Sequence, residues 1–581
     1  MRWRQRPAHP SAGAELPDAG GLAPLVREIL FRRGVTGAAR GFLEPSLKDL
    51  HDPSLIPDLD KAAARVLAAL RAKEQVVIYG DYDVDGVTAT AILFHTFAAI
   101  APGADVRTYV PHRLEEGYGL NCDAITELAR GGARVIVSVD CGITALEPAL
   151  TARAAGVDLI ITDHHNPPAS MADLPDAFAV VHPRRPDSTY PFGELCGAGV
   201  AYKLAWRLAT LAAGGDRTTP DLRDLLIQLL ALTSLGVIAD VVPLVGENRV
   251  IARHGLSRIK HSPLIGLRAL VEASGLGGEN VNAEQVGFQL APRLNASGRM
   301  GHARDAVELF TRADEARAAE IAGMLSKQNE ERRKTERRIF EQAAELAERS
   351  GMTGADRRAI VLAHEEWHPG VVGIVCSRLV EKYGRPTILM QRHDGLCHGS
   401  GRSIDGFSLH AGLEGCKHHL VSFGGHDMAA GLKLREDNLD AFIEAFVSHA
   451  NDRIAPEDLV ATLDFDCAAS LGALDGTTVA QLDRLAPFGR ENPPVRLHLS
   501  GLRVVYGPDV FGKENKHLSV RAVDAATARG SPVRLFGWNW AEHRDRFRIG
   551  TSFDAIVVPR LNTWNGRTSV ECEMLDIRPS S

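Results

Sequence analysis

The sequence predicts an α/β protein with a two-lobed core and a β-rich C-terminal domain, on three observations. From Val76 onward, β-branched runs (VVIYG, VRTYV, VIVSVD, DLIITD) alternate with helical segments at 88–100, 124–130 and 146–155. That alternation is the pattern of a mostly parallel, doubly wound sheet. A second, smaller α/β region starts near Arg358 (AIVLA) and runs to about Ala450. After Leu459 the chain turns to short runs such as VRLHLSGLRVVYG, HLSVRAV, VRLFGW, DAIVVPRL and SVECEML, which predict a small β-barrel or sandwich. A length of 581 residues is too great for one core. The expected divisions are 1–75, 76–303, 304–351, 352–455 and 456–581.

Taken in order, residues 1–21 are rich in Pro, Gly and Ala and read as a loose leader; 22–70 hold short helical patterns. Residues 198–235 read as helices closing the first lobe. Residues 304–350 carry a long charged helical pattern that Gly351 should stop. Its mixed charges suit a solvated connecting helix better than a binding face. In the second lobe, GVVGIVCSR, HGSGRS and SFGGHDMAAGL read as glycine-bearing loops. Trp538, Trp540 and Trp564 are assigned to a barrel core in preference to stacking on bases.

Composition narrows the class. Hydrophobic residues at 45 % and charged residues at 24 % are those of an ordinary globular protein. A net charge of -7 argues against a generally basic, histone-like binder but allows local basic patches. Eight cysteines without a C-x-x-C pair read as reduced, mostly buried thiols of a cytoplasmic protein. The most apolar stretch, 225–242, is interrupted by Gln228 and Asp240, so no membrane partner is expected. The basic start has no apolar h-region of a secretory signal.

The chemistry centres on VVIYGDYDVDGVTAT (76–90), where a buried strand is followed by Asp81, Asp83 and Asp85 and then by a helix opening at Gly86. Carboxylates crowded at a strand end repel one another and must hold protons or a cation. Oxygen ligands suit magnesium or manganese. The spacing also opens an EF-hand loop, but its twelfth position here is Ile92 rather than Glu, and a strand-like run precedes it. VIVSVDCG adds Asp140, DLIITDHHNPP adds Asp163, His164 and His165, and GVIADVVPL puts Asp240 after a helix and an apolar run. Each alone reads as a cap or turn residue. Together, expected at one sheet edge, they match the donor set of two ions roughly 3.5–4 Å apart, which suits phosphoester hydrolysis.

The set DYDVDG, VDCG, TDHH and ADVVP resembles the DHH phosphoesterase superfamily. VPHRLEEGYGL (110–120), APRLNASGRM (291–300), HGSGRS (398–403) and SFGGHDMAAGL (422–432) narrow the resemblance to its bacterial single-strand-specific exonucleases. The family usually carries a PFG-x-GNP turn; this chain reads PFGRENP at 487–493, with Glu491 where glycine is usual. The resemblance implies two divalent ions, Mn2+ or Mg2+. Asp83 and Asp85 would hold one each, Asp140 would bridge them, and His164 and Asp240 would complete the second site. Asp81 would be a ligand or its neighbour. Asp163 would orient a ligand, and His165 would face the scissile phosphate. Arg299, with Asn295 and Arg293, would hold substrate phosphates. Arg113, Ser400 and Arg402 would form a pocket for a 5′-terminal phosphate, with His426 in the same cleft.

The resemblance further implies a DHHA1-like second lobe, an OB-like barrel, and 5′-to-3′ hydrolysis of single-stranded DNA to 5′-mononucleotides in DNA repair and recombination. The implied partners are single-stranded DNA with a 5′ end, a single-strand binding protein and a helicase, with the enzyme itself a monomer. Two other readings are a small-substrate DHH phosphoesterase acting on short oligoribonucleotides or nucleotide phosphates, and a non-catalytic DNA-binding scaffold. The β-rich tail and connecting helix argue against the first, and the complete set of acidic residues against the second.

Overall fold

The computed structural model describes residues 1–8, 20–35, 39–113, 115–215, 217–525 and 531–580. Most of the expected leader (9–19), and Leu114 of the VPHRLEEGYGL motif, lie outside the described residues. The chain divides into two compact units. One comprises Trp3–Leu294, Ala303–Ala322 and Asp464–Ser581; the other comprises Met1–Arg2, Asn295–His302 and Gly323–Leu463.

The first unit opens its α/β part with α1 (Leu59–Ala72), whose apolar face is buried, and β1 (Gln75–Tyr79). Then come α2 (Val84–Ile100), β2 (Val106–Tyr109), α3 (Cys122–Arg130), β3 (Ala133–Val139), α4 (Leu146–Ala154), β4 (Asp158–Thr162) and β5 (Ala179–Val181). The five strands are all parallel, in the order β2-β1-β3-β4-β5. Burial on both faces explains why β1, β3 and β4 read as unbroken apolar runs. The order reverses between β1 and β3. At such a point the two connections leave to opposite faces and a crevice opens at the carboxyl ends. Register brings those ends level: Tyr79 pairs with Ser138, and Val139 with Thr162.

Three helices follow, α5 (Gly197–Ala212), α6 (Pro220–Ala239) and α7 (Gly246–Ile259), of which α5 packs on the sheet and α6 and α7 form a further layer. Among the described residues α6 is the one helix long and apolar enough to cross a membrane, yet 61 % of its apolar window is buried inside the protein. It packs against α2, α5 and α7. The apolar run before Asp240 is this helix rather than a strand, so Asp240 stands at a helix end and not at the sheet edge.

Helix α8 (Ala291–Met300) starts in the first unit and ends in the second, and α9 (Glu315–Arg349) does the same. The charged pattern expected from Arg304 is broken: Arg304–Thr311 is a separate helix, and α9 begins only after it.

The second unit holds a mixed sheet of β6 (Ile360–His364), β7 (Thr387–His393), β8 (Leu396–Arg402), β9 (Leu420–Gly425) and β10 (Ala429–Arg435), in the order β9-β10-β8-β7-β6. It is covered by α10 (Pro369–Tyr383) and α11 (Leu439–Arg453). The glycines read as loops are mostly not in loops. GVVGIVCSR lies in α10, HGSGRS runs along β8, and SFGG and AAGL fill β9 and β10. Close approach explains them instead. A Cβ on Gly399 would lie 2.5 Å from Met390 Cγ, and one on Gly373 would lie 2.8 Å from Ser400 Oγ.

The C-terminal part of the first unit contains β11 (Cys467–Ala469), α12 (Gly476–Asp483), β12 (Leu497–Phe511), β13 (His517–Asp524), β14 (Val533–Gly537), β15 (Ser552–Trp564) and β16 (Arg567–Pro579). The order β12-β13-β14-β16-β15 closes on itself because β15 also pairs with β12, and closure removes the sheet edges. Its core takes in Val26, Ile29 and Leu30 of the helix Pro24–Arg32. Arg2–Gln5 is a strand, and Trp3 Nε1 donates to Asp576 Oδ2 at 2.7 Å, so the chain start is ordered where a loose leader was read. The core assignment fails for two tryptophans: Trp538 is 48 % and Trp564 74 % exposed. Trp540 packs against the barrel core.

Candidate metal centre

Every acidic cluster of the first lobe converges on the crevice beside the topological reversal. Asp81, Asp83 and Asp85 follow β1, Asp140 follows β3, Asp163 and the two histidines follow β4, and Asp240 follows α6. Two triads meet around it, and a third set, Asp140, His164 and His165, overlaps both. One is Asp81, Asp83 and Asp140; the other is Asp85, His164 and Asp240, each set with ligand atoms within 4.8 Å of one another. His164 Nε2 links them, lying 3.1 Å from Asp140 Oδ1, 3.5 Å from Asp240 Oδ2 and 3.8 Å from Asp85 Oδ2.

Local structure explains how the chain holds so much negative charge. The Asp83 side chain caps α2, accepting from Asp85 N at 2.9 Å and Gly86 N at 3.1 Å, a device that stabilises a helix start by about 1 kcal/mol. Asp85 accepts from Gly197 N at 2.6 Å and Ala198 N at 2.9 Å, the first amides of α5, whose helix dipole favours an anion. Asp140 sits at φ 63°, in the left-handed region that Asp tolerates better than most residues. Strain of this kind concentrates where geometry serves function. The helices close in on these carboxylates through glycines. A Cβ on Gly197 would lie 2.6 Å from Asp140 Cβ, one on Gly86 would lie 2.6 Å from Asp81 N, and one on Gly236 would meet Asp85 Oδ1.

The electrostatics fit cations. Burial, with repulsion from Asp83, pushes Asp81 well above the ordinary carboxylate range and Asp85 to about 6. Burial, then Asp85 and Asp83, pushes Asp140 and Asp240 up as well. Among the described residues Asp81 Oδ1, Asp140 Oδ1 and His164 Nε2 are buried and make no hydrogen bond, and the 3.1 Å approach of the last two lacks hydrogen-bond geometry. Burial also lowers His164 to about 3, leaving it a neutral, electron-pair-donating imidazole. Orphaned oxygens facing an orphaned nitrogen are costly in a closed fold and natural for metal ligands. The donor set of carboxylates and one imidazole suits Mn2+ or Mg2+.

Asp163 differs from its neighbours. Burial alone would raise it, but it accepts from His165 Nδ1 at 2.8 Å, Ile143 N at 2.9 Å, His164 N at 2.7 Å and His165 N at 3.1 Å, and it ends well below the usual range. These bonds tie it to the His164–His165 turn. Burial would lower His165, yet the Asp163 bond outweighs it and raises the imidazole to about 9. Nδ1 being engaged, the ring presents its other nitrogen to whatever occupies the crevice.

Several neighbours were missed in sequence. The Tyr118 hydroxyl lies 3.2 Å from Asp140 O and 3.2 Å from His165 Nδ1. His182 Nε2 donates to His165 O at 2.7 Å, and Arg184 Nη2 donates to His164 O at 2.7 Å. GYGL and HPRRP were visible as motifs, but nothing in them says which backbone they brace. Arg113 lies over the Tyr82 ring at 4.8 Å, beside the acidic loop. Arg293 donates to Gln289 O at 2.7 Å, one turn back along the chain.

The remaining expected substrate residues, Asn295, Arg299, Ser400, Arg402 and His426, belong to the second unit. Arg299 Nη1 donates to Gly370 O at 2.8 Å, at the start of α10. A Cβ on Gly373, one turn on, would meet Ser400 Oγ at 2.8 Å and Arg402 Nη2 at 3.2 Å. Two guanidiniums and a hydroxyl thus gather at the first turns of one helix. His426 stands exposed in the β9–β10 turn, its N bonded to Ala429 O at 2.8 Å.

Comparison with known proteins gives the family. Residues 75–233 match the DHH family N-terminal domain, 356–452 the DHHA1 domain and 465–576 the RecJ OB domain. Single-stranded-DNA-specific exonuclease RecJ of Bacillus subtilis is 36 % identical over 581 residues, covering 99 % of this chain and 70 % of that protein. The chain belongs to the RecJ family. RecJ of Dickeya dadantii is 36 % identical over 83 % of this chain and 84 % of its own. The crystal structure of RecJ from Thermus thermophilus in complex with Mn2+ superposes with a TM-score of 0.82 at 30 % identity, covering 100 % of this chain and 80 % of that one. The Mg2+ complex of the same protein gives 0.76 at 29 % identity, covering 100 % of this chain and 79 % of that one.

Proposed function

We infer that this chain is a divalent-metal-dependent exonuclease that hydrolyses single-stranded DNA from its 5′ end and releases 5′-mononucleotides. The observation that carries this reading is the pair of triads with three orphaned ligand atoms in a RecJ-family crevice. Asp81, Asp83 and Asp140 would hold one ion, and Asp85, His164 and Asp240 the other, with Asp140 between them. Bound divalent ions supply Lewis-acid activation of water and neutralise charge on a phosphodiester. The chain's own groups do the rest. Asp163 holds His165 so that Nε2, which lies 3.3 Å from the Tyr118 hydroxyl, can donate to a phosphate oxygen or to the departing 3′ oxygen. Arg299, Ser400 and Arg402, at the amino end of α10, suit a terminal phosphate, because helix amides and guanidiniums both favour phosphate oxygens. End recognition of that kind gives polarity, since the chemistry is identical at every phosphodiester.

Limits at 76–303, 304–351, 352–455 and 456–581 go with this reading of the catalytic domain, connector, DHHA1-like domain and barrel. So does a cytoplasmic role in DNA repair and recombination, as a monomer alongside a helicase and a single-strand binding protein. The RecJ OB match speaks against a small-substrate phosphoesterase. The test uses 3′-labelled single strands and duplexes with Mn2+. The parent should release mononucleotides from the 5′ end of single strands only, and Asp140→Ala should lose at least about a thousandfold in rate, as the removal of a transition-state electrostatic group does. Near-normal rates in Asp140→Ala, or degradation from the 3′ end, would refute the reading.

A further inference from the structure

The turn at 487–493, which joins α12 to the barrel, is held far more firmly than a linker needs to be. Arg249 of α7 is 2 % exposed, and the charges that act on it are those of two other arginines, Arg253 and Arg33. Its guanidinium donates to Leu485 O at 2.9 Å, Ala486 O at 3.0 Å, Arg484 O at 3.4 Å and Pro487 O at 3.5 Å. Buried Asn492 donates to Leu485 O and Pro487 O at 2.8 Å each and accepts from Arg33 Nη1 at 2.8 Å. Gly489 and Asn492 pair across the turn.

The turn is also fastened to the stretch of chain that leaves the metal centre. Leu244 N, four residues after Asp240, donates to Arg490 O at 2.9 Å. A Cβ on Gly489 would lie 2.7 Å from Leu244 Cδ1, so glycine is needed for the turn to seat there. Between Asp240 and Leu244, Val241 is held at φ 57° with 60 % of its surface exposed, a strained conformation for a β-branched residue. At the tip of the turn, beside this loop, stands the exposed Arg490.

We propose that Arg490 is a substrate-binding residue, supplied by the barrel side of the molecule, that grips a backbone phosphate of the nucleic-acid strand beside the metal centre. An exposed guanidinium beside the loop that follows Asp240 has no use as a metal ligand. A phosphodiester strand drawn to the metal centre brings the negative charge that makes the position favourable. The elaborate fixing of the backbone then has a purpose: it holds the root of the Arg490 side chain in place beside the loop that follows Asp240. The inference rests on the reading of the chain as a single-strand nuclease and adds a contact to it.

The test compares the parent with Arg490→Ala and Arg490→Lys. Binding of a 5′-phosphorylated single-stranded oligodeoxynucleotide is followed without divalent metal across a range of salt, Mn2+ binding is followed by calorimetry, and exonuclease rates are taken on the same oligonucleotide. Arg490→Ala should lower the slope of log affinity against log salt by about 0.7, the value for one lost phosphate contact on a single strand. It should raise KM severalfold and leave Mn2+ affinity unchanged, and Arg490→Lys should restore most of the slope. The variant keeps its turn, because Arg490 contributes its carbonyl there rather than its side chain. An unchanged salt slope in Arg490→Ala, with an active parent, overturns the role of Arg490. An inactive parent overturns the function reading instead.

Discussion

At the scale of single residues, Glu491 shows how a departure from a family pattern is absorbed. The usual glycine of the PFG-x-GNP turn is replaced, but the backbone keeps the left-handed conformation at φ 59°. The neighbouring bonds of Arg249 and Asn492 fix the turn too firmly to yield. A side chain in that region costs about 1 kcal/mol or more relative to glycine. Glu491→Gly should therefore raise stability by about 0.5–1 kcal/mol, read from the midpoint of urea unfolding. A loss of stability would mean that the Glu491 side chain contributes something the backbone argument omits. The acidic and histidine residues of the crevice were all legible, because each stands in a short run with a chemical meaning. Tyr118, His182 and Arg184 were not. Their work is to bond carbonyl oxygens of other loops, and a carbonyl partner leaves no trace in sequence.

At the scale of elements, α5 braces the centre from its first turn. Its first two amides bind Asp85, and Gly197 lets it press against Asp140. Gly197→Ala should push the Asp140 carboxylate aside and weaken Mn2+ binding by about 10–100-fold, the usual scale for a displaced supporting contact. Calorimetric titration of Mn2+ would show it, and an unchanged affinity would mean that the helix can back away at little cost. The strands and helices of the first lobe were readable because their periods differ and their ends carry the motifs. The second lobe was harder. Glycine serves turns and close packing alike, and only the structure shows Gly373 beneath Ser400 and Gly399 against Met390. Exposed Trp538 and Trp564 were misassigned for a related reason: Trp538 follows β14 directly and Trp564 ends β15, and the apolar runs do not show that both stand at strand ends, beyond the barrel core.

At the scale of the whole molecule, the metal centre sets the response to pH. Asp85, with a folded value near 6 against about 3.9 in an unfolded chain, keeps its proton longer in the folded state. Its contribution to stability is present below the unfolded value and is lost as pH rises through about 6, and Asp81, Asp140 and Asp240 extend that loss upward. His165, raised to about 9, acts in the same sense: its contribution is present at low pH and fades as pH rises through about 9. His164, lowered to about 3, opposes this only up to its unfolded value near 6.5, so metal-free protein should melt at progressively lower temperature from about pH 6.5 to about pH 9. Added Mn2+ should raise the melting temperature most at the alkaline end, where no proton competes for its ligands. Melting curves with a chelator and with Mn2+ would decide it, and a chelated protein that grows more stable with rising pH would contradict the argument.

The discontinuous make-up of the first unit has a consequence for how the protein is made. All the acidic and imidazole ligands have left the ribosome once Asp240 has emerged, but the turn that braces the loop beyond it is encoded about 250 residues later. At about 5–20 residues per second that interval is on the order of 12 to 50 s. Meanwhile Arg249 has none of its four later carbonyl partners, and a buried guanidinium without them is not a stable arrangement. The nascent chain thus carries its ligands for about 250 residues before the turn that braces the loop beyond Asp240 is made.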